Sequence, residues 1–357
     1  MRWQVGLVAI AGCSFRLPPG DGGGADTEDL GAWTARRPIT IANTGLAQAL
    51  ADFPVLVTLD ATFDYAGAAA DGADLRFFAA DATTALAFDI DTFAPGATSA
   101  IWVRVPAIAA PPAPATQIWL YYGNPRATSG ANPPGVWADQ ISVHHMSSLA
   151  DATASGHELA QPTAAKLPVD AAGAIGRAYA FDGNDDAFGV GGERDYDVKD
   201  GLTVSLWLRA PAFTVDFQCM VCKGDNAWRL HRGNGSQHAD FGTTNAALAN
   251  QNLDSGSNVS GGDWHHIVGT FDGATKRIYV DGDLDGMTGY AQTLNATDFA
   301  VVIGENEESS ERRNWNGDLD EIRISAHGRT ADWIGMEYRV VMQPAATVAV
   351  GGREAVP

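Results

Sequence analysis

The segment GDWHHIVGTFDGATKRIYVDGDLDG, residues 262–286, is the part of the sequence that best indicates the fold of the second half of the chain. Residues 264–268 and 276–280 are predicted to form two partner strands, whose side chains alternate between the two faces of a sheet. The Asp-Gly pairs within this segment predict tight turns. His265 and His266 are neighbours on one strand, so their side chains point to opposite faces and cannot share a metal ion. The segment therefore predicts the framework of a sheet.

The composition extends this prediction to the whole chain. Of the 357 residues, 45% are hydrophobic, only 18% are charged, and 40 are glycines. Runs of β-branched and aromatic residues recur about every 10 residues between Gly, Asp, Asn and Pro, a spacing typical of β-sandwiches. In one run, residues 101–105, Trp102 and Arg104 are expected on the face opposite to the core. The fold class is predicted as all-β, and the length predicts two domains.

The formal net charge of −20 bears on the class of partner. A strongly acidic surface repels the phosphate backbone of DNA and RNA. We therefore expect no nucleic-acid partner.

The N-terminus MRWQVGLVAIAGCSF has a thin basic start, a short apolar run and small residues before Cys13. It resembles a bacterial lipoprotein signal, which implies a signal peptide over residues 1–12, acylation of Cys13 and a flexible tether over residues 13–31. The alternative is an ordinary N-terminus with a buried cysteine. No stretch is long and apolar enough for a membrane helix, so membrane contact is expected through the lipid alone. This interpretation places the protein outside the cytoplasm, at the outer membrane or cell surface.

Two further cysteines, Cys219 and Cys222, form a CxxC pattern. No second pair or nearby histidines complete a zinc site around them. The surrounding sequence predicts a strand, in which positions i and i+3 point to opposite faces, so a disulfide between them requires a bend or bulge. A local disulfide and two buried thiols are both open at this point.

The first half contains Trp33, then FPVLVTLD, ADLRFF, IWVRVP and YYGNP, in that order. This series resembles the DUF2341 family over residues 32–126. The family is of unknown function, so the resemblance implies a β-domain and no chemistry. A Pro/Gly-rich segment, residues 125–140, is predicted to link it to the second domain.

The second half contains FDGNDDAF, LTVSLWLRA, WHHIVGTFDG and a segment that runs from GDLDEIRIS to ADWI, again in order. These motifs resemble the LamG-like jelly roll, of the concanavalin A-like, laminin G or pentraxin type, over residues 136–348. The resemblance implies that both domains are β-sandwiches and that the second is a concanavalin A-like jelly roll.

The concanavalin A-like superfamily includes glucanases, whose retaining chemistry needs two carboxylates about 5 Å apart. The pattern ExDxxE would provide them, but Val198 stands where its last glutamate should follow Glu193 and Asp195. Other hydrolase motifs are absent from the sequence. We therefore expect a protein that is not an enzyme.

The resemblance to jelly rolls suggests one cofactor, calcium, which takes about six to eight oxygen ligands. It implies two placements. The first combines Asp182, Asp185 and Asp186 with Asp320. The second is pentraxin-like and uses the loop residues Asn306, Glu307 and Glu308, facing Asp216. The alternatives are plain turns and a hydrogen-bonded carboxylate.

Trp228 and Trp315 lie near predicted loops, where flat rings could stack on a sugar, although packing in the core is the alternative. We interpret the sequence as an exported, lipid-anchored envelope protein whose LamG-like domain binds a glycan or a cell-surface protein. The rival classes are a structural envelope protein without a small ligand and, third, a glycoside hydrolase.

Overall fold

A computed structural model describes residues 30–162, 165–309 and 313–357. The predicted signal peptide, Cys13 and most of the tether lie outside these residues. Residues 31–357 form one compact unit, built mainly of antiparallel strands. The prediction of an all-β chain is confirmed.

The first group of strands, in chain order, is β1 (Ala35–Ile41), β2 (Leu50–Leu59), β3 (Arg76–Ala79), β4 (Ala85–Leu86), β5 (Phe88–Thr92), β6 (Ser99–Ile108), β7 (Thr116–Tyr122), β8 (Ser142–His144), β9 (Leu159–Ala160), β10 (Val169–Ala172), β11 (Arg177–Asp182) and β12 (Phe188–Val190). The second group is β13 (Leu202–Arg209), β14 (Cys219–Cys222), β15 (Trp228–Arg232), β16 (Ala239–Thr244), β17 (Asn250–Gln251), β18 (Trp264–Phe271), β19 (Thr275–Val280), β20 (Asp283–Gly289), β21 (Val301–Ile303), β22 (Asn316–Ser325), β23 (Val348–Val350) and β24 (Glu354–Ala355). The helices are α1 (Pro133–Val136), α2 (Ala331–Met342) and α3 (Pro344–Thr347), with single 3-10 turns at Leu30–Ala32, Tyr65–Gly67 and Glu193–Tyr196.

The first sandwich pairs a sheet of order β23-β1-β7-β3-β4 with a sheet of order β2-β6-β5. Strand β24 also pairs with β1. Ile39 and Ile41 of β1 lie opposite Val350 and Val348 of β23, so residues from the far end of the chain complete this sandwich. Its core is built from the alternate apolar residues of these strands, as the two-residue period requires.

The second sandwich pairs a sheet of order β10-β11-β22-β13-β18-β19-β20, with β8 also on β22, with a sheet of order β17-β16-β15-β14-β21-β12-β9. Val204, Leu206 and Leu208 of β13 lie in its core. The histidines of β18 diverge as predicted. His265 Nδ1 lies 2.8 Å from Asp281 Oδ2, whereas His266 is on the opposite face and stacks on Trp207.

The disulfide between Cys219 and Cys222 is present in the structure. The pairing of β14 with β15 shifts register between Cys219 and Val221. Such a bulge is the bend that an i, i+3 disulfide within a strand requires, because it rotates one side chain toward the other.

Strand β22 carries a second bulge. Leu319, Ile322 and Ile324 all enter the second core. Two residues lie between Leu319 and Ile322, where a regular strand would have one. In the pairing with β13, Trp207 lies opposite Asp320 and Ser205 opposite Arg323. Both Asp320 and Glu321 therefore face away from the core of the jelly roll. Glu321 has a positive φ of 49°, consistent with a strained bulge position.

The segment around ADWI is a helix rather than part of a strand. Helix α2 begins after Thr330, whose side chain accepts a hydrogen bond from the Trp333 backbone amide and caps the helix. Its apolar face, with Ile334, Met336 and Val340, packs into the first core. Among the described residues, none of the helices is both long and apolar enough to cross a membrane.

The two sandwiches meet through the outer faces of the β2-β6-β5 sheet and the sheet that contains β22. Trp102 lies opposite to its own core, as predicted, but it is fully buried because the second sandwich covers it. The guanidinium of Arg323 lies 4.2 Å from the centre of the Trp102 ring and 4.7 Å from that of Trp137. It donates to Glu321 at 2.6 Å and to Glu337, on α2, at 2.8 Å. This cation joins strands and helix at the centre of the interface.

Replacing Arg323 with methionine removes the cation paired with Glu337 and one of the two cations paired with Glu321, both of which are buried. We expect Arg323→Met to lower the free energy of unfolding by about 3–5 kcal/mol, measured by chemical denaturation. The matched control is Arg353→Met, which breaks an exposed pair with Asp64 and should cost less than about 1 kcal/mol. Equal losses in the two variants would show that the interface does not depend on Arg323.

Candidate functional site

A cleft of about 630 Å³ opens beside this interface. It lies between the end of β5, the turn at α1 and the loop that follows β8. The groups that line it are carboxylates, hydroxyls, one imidazole, one guanidinium and a small apolar wall: Asp89, Asp91, Asp151, Thr92, Ser147, Ser148, Thr153, His145, Arg177, Ile90, Phe93, Pro133 and Pro134.

Strand β5 places two carboxylates on one wall of the cleft. In its sequence FDIDT, Phe88 and Ile90 pack into or against the first core. Asp89 and Asp91 are the alternate residues, so both face the second sandwich. Asp89 lies opposite Trp102 in the pairing with β6, which sets it at the edge of the buried interface.

His145 bridges the two sandwiches at the floor of the cleft. Its Nε2 lies 3.0 Å from Asp89 Oδ2, and its Nδ1 lies 2.7 Å from Glu321 Oε1. Burial alone would lower the pKa of His145, but the charge of Glu321 and the hydrogen bonds to both carboxylates outweigh it and raise that pKa well above its usual value. The imidazole is therefore a buried cation that donates from both nitrogens. Asp89 also accepts from Trp137 Nε1 at 2.8 Å, which fixes its orientation.

The carboxylates around His145 differ in protonation. Burial opposes ionisation of Glu321, yet the charges of His145 and Arg323 lower its pKa to about 2. Burial raises the pKa of Asp91 to about 6, although Ser147 Oγ donates to it at 2.9 Å. Burial, and then the charge of Glu321, raise the pKa of Asp320 well above its usual value. The floor of the cleft thus combines a fixed anion, a buried cation and two carboxyls that hold their protons more tightly.

The structure groups three of the four predicted calcium ligands and separates the fourth. Asp182, Asp185 and Asp186 each have a carboxylate oxygen within 4.8 Å of the others, on the loop after β11. Asp182 lies opposite Asn316 on β22, whereas Asp320 lies four residues further along that strand, against the backbone amide of Ile175. Asp320 therefore does not complete this group. Whether the loop binds calcium stays a prediction.

The residues of the second predicted calcium site bind other groups of the chain, and Arg313 lies beside them. Asn306 is buried and donates to Asp225 Oδ1 at 2.8 Å, and Arg313 Nη1 lies 2.5 Å from the same oxygen. Glu308 accepts from the backbone amide of Asn226 at 2.8 Å, and Glu307 from that of Ala300 at 3.2 Å. The expected partner, Asp216, instead pairs with Arg232. The loop is held by hydrogen bonds and an ion pair.

Trp228 and Trp315 require a correction. Both side chains are fully buried in the second core, so neither ring can stack on a sugar. Trp228 Nε1 donates to the backbone carbonyl of Tyr196, and Trp315 packs against Phe213. Both tryptophans therefore serve packing in the core, which was the alternative to sugar binding.

The residues that do converge, Asp89, Asp91, His145 and Glu321, are not among the site residues predicted from the sequence. Two signals were present. The run FDIDT has aspartates at alternate positions of a strand, and LDEIRI has two residues between Leu319 and Ile322 where one would keep the period. Neither signal says that the two sandwiches face each other.

Comparisons with known families agree with the order of the two halves. A model described as the concanavalin A-like lectin/glucanases superfamily matches residues 182–335, and the model for a domain of unknown function, DUF2341, matches residues 71–151. The chain therefore contains a DUF2341 segment followed by a concanavalin A-like jelly roll. The resemblances to DUF2341 and to the LamG-like jelly roll are confirmed, while the lipoprotein signal stays a prediction.

Solved structures similar to the chain include two toxin binding domains and one domain of an arabinanase. The binding domain of Paraclostridial Mosquitocidal Protein 1 has 14% identity and a TM-score of 0.45, over 53% of this chain and 49% of that one. Domain 4 of AbnA, a GH43 extracellular arabinanase from Geobacillus stearothermophilus, solved with arabinotriose, has 16% identity and a TM-score of 0.44, over 55% and 97%. The receptor binding domain of botulinum neurotoxin C/D mosaic serotype has 12% identity and a TM-score of 0.44, over 57% and 51%. The chain thus spans about half of either toxin domain. No curated protein matches the chain.

The raised pKa of Asp91 gives a test of the cleft. Because the folded protein holds this proton up to about pH 6, whereas the unfolded chain releases it near 3.8, the contribution of Asp91 to stability is lost as the pH rises between those values. We expect Asp91→Asn to gain stability relative to the parent between about pH 4 and about pH 6, measured by chemical denaturation.

Asp81→Asn is the control. Hydrogen bonds from Thr84 lower the pKa of the exposed Asp81 to about 2, so its contribution is already complete above 3.8. The difference between Asp81→Asn and the parent should stay constant over the same pH range. If Asp91→Asn behaves in the same way, Asp91 is not desolvated in the folded protein.

Proposed function

We propose that this is an exported, lipid-anchored binding protein and that the cleft beside His145 holds a neutral glycan. The single observation that carries the proposal is the cleft itself. Its volume of about 630 Å³ lies in the range of roughly 300–1,000 Å³ that small-molecule sites occupy. Membership of the jelly roll in a superfamily of lectins and glucanases supports the same class of ligand.

The lining suits a sugar because it offers many acceptors and one ring. Asp91 can accept hydrogen bonds from hydroxyl groups, and Ser148 can donate or accept, whereas both oxygens of Asp151 already accept hydrogen bonds from the chain. Phe93 is half-buried at the rim and lines the cleft. Its ring and that of Tyr65 pack in a T-shaped arrangement, with their centres 5.5 Å apart. An aromatic wall with a few polar groups that fix orientation is the usual composition of such a site.

The charge of the groups that line the cleft restricts the class of sugar further. Three carboxylates line the cleft, and Arg177 at its rim is paired with Asp170. An anionic sugar would be repelled by these carboxylates and by the net charge of the chain. We therefore favour neutral oligosaccharides over sulfated or uronic-acid polymers.

The arrangement favours binding over hydrolysis. A retaining glycosidase needs two carboxyl groups on either side of the scissile bond. Asp91 and Glu321 are close, but Glu321 is 2% exposed and holds His145 and Arg323. One Asp89 oxygen is likewise held by Trp137 and His145. Neither partner is available as a nucleophile, so Asp91 would act alone.

Binding is tested with an array of neutral and acidic glycans and confirmed by calorimetry. We expect Phe93→Ala to weaken binding of the selected glycan at least about tenfold, because it removes the apolar wall. Phe217→Ala is the matched control, since Phe217 lines a smaller pocket near Asp225 and Arg313 and should leave the affinity unchanged. A loss only in Phe217→Ala would move the site to that pocket. No binding on any array would favour a structural envelope protein, and release of reducing sugars that Asp91→Asn abolishes would favour a hydrolase.

The anchor is tested separately. We expect Cys13→Ser to move the protein from the membrane fraction to the soluble exported fraction, because Cys13 is the only acylation site in the proposed signal. Immunoblotting of the fractions measures this. A mutant that stays with the membranes would show that another segment holds it there.

A further inference from the structure

The floor of the cleft holds more carboxyl groups than cationic side chains. The carboxylates of five residues surround two cationic side chains, those of His145 and Arg323; the five are Asp89, Asp91, Asp320, Glu321 and Glu337. Within this cluster, Asp91, His145 and Glu321 each offer one ligand atom, and these three atoms lie within 4.8 Å of one another. The set is one imidazole nitrogen and two carboxylate oxygens, and it is open to solvent at Asp91.

The imidazole is oriented as metal-bound histidines are. Histidine ligands usually donate their second ring N–H to a carboxylate, which fixes the ring and its tautomer. Asp89 accepts from Nε2 of His145, and Trp137 holds Asp89 in place. Nδ1, the nitrogen on the opposite side, points at Glu321.

A further buried carboxyl group, that of Asp320, lies next to Glu321 on β22. Asp320 is fully buried, and its Oδ2 accepts from the Ile175 backbone amide, but its Oδ1 has no hydrogen-bond partner among the described residues. The bulge in β22 turns Asp320 to the same side as Glu321. Its carboxylate is not among the three ligand atoms that lie within 4.8 Å of one another, so Asp320 is a neighbour of this group and not one of its ligands.

We propose that a divalent transition-metal ion of the zinc type binds at this floor, held by His145 Nδ1 and by carboxylate oxygens of Asp91 and Glu321, with a water molecule as the fourth ligand. Zn²⁺ accepts imidazole together with carboxylates and prefers four ligands, whereas Ca²⁺ prefers oxygen ligands and a larger number of them. Binding releases to solvent the proton that lies between His145 Nδ1 and Glu321. Arg323 remains on Glu321 Oε2, so the metal uses the other oxygen, Oε1.

The site differs from the predicted calcium loop at Asp182, Asp185 and Asp186. That loop has no imidazole, and Lys166 lies 2.9 Å from Asp185. The site also does not depend on the glycan, because the metal alone is the probe. Loss of glycan binding and loss of metal binding are therefore separate outcomes.

The experiment titrates metal-free full-length protein with Zn²⁺ by calorimetry, and with Co²⁺ as a spectroscopic substitute. We expect one tight site per chain, with Co²⁺ absorption bands in the visible that millimolar Ca²⁺ does not remove. Asp91→Asn should weaken Zn²⁺ binding at least about tenfold, because the amide keeps the shape and loses the charge. Asp185→Asn and Phe93→Ala should bind Zn²⁺ as the parent does.

Thermal denaturation without metal checks that each variant folds. Asp91 is half-buried at the rim and its replacement is nearly isosteric, so a folded variant is expected. In the parent, Zn²⁺ should also shift the Nδ1 resonance of one histidine, and His145→Gln should remove that resonance. Unchanged affinity in Asp91→Asn, or a loss of binding in Asp185→Asn instead, would overturn the proposal, as would a parent protein that binds no Zn²⁺.

Discussion

The guanidinium of Arg323 lies between two tryptophan rings and two glutamates, and the rest of the structure is arranged around that contact. Each sandwich has a core, but apolar contacts also cross between them, because Val268 and Tyr279 of the jelly roll belong to the first core. A polar layer between the two sheets adds to these contacts, and in it Trp102 and Trp137 exclude water while Glu321 and Glu337 neutralise the cation. A buried charge tolerates little displacement, because moving it away from its partners exposes the full cost of desolvation. Arg323 therefore fixes the relative position of the sandwiches, and with it the shape of the cleft.

The bulge in β22 gives this layer its chemistry. A regular strand would turn Asp320 and Glu321 to opposite faces, and one carboxylate would enter the apolar core. With the extra residue, both point outward, while Leu319 and Ile322 remain in the core. Two acidic side chains then meet Asp89 and Asp91 of the opposite sheet, and His145 lies between them. One local irregularity thus determines that the interface is acidic and that its open edge is a cleft.

Sequence patterns were sufficient where the structure is set by neighbours along the chain. The alternation in LTVSLWLRA, the divergence of His265 and His266 and the need for a bulge at the CxxC pair all follow from the geometry of one strand. Sequence patterns failed where contacts between distant segments determine the burial or position of a residue. Trp228 and Trp315 lie close to loops, but the opposite sheet buries them. Asp89, His145 and Glu321 converge only because two sheets face each other, and nothing local to any of the three encodes that. Helix α2 is an intermediate case between these two. The Thr330 cap and the spacing of Trp333, Met336 and Val340 are signals of a helix, but the segment was grouped with the predicted strands.

The pairing of β1 with β23 and β24 means that the first sandwich is not continuous in sequence. Its opening strand forms hydrogen bonds with residues 348–350 and 354–355, while the entire jelly roll lies between them. As the chain is synthesised, β1 is made first, and the strands that pair with this edge, beginning at Val348, follow about three hundred residues later. During that interval one edge of β1 has no neighbour, and an unpaired strand edge is where misassociation begins. Folding of the jelly roll brings the two ends together and closes the loop, so the later-made domain acts as the template on which the earlier-made one is finished.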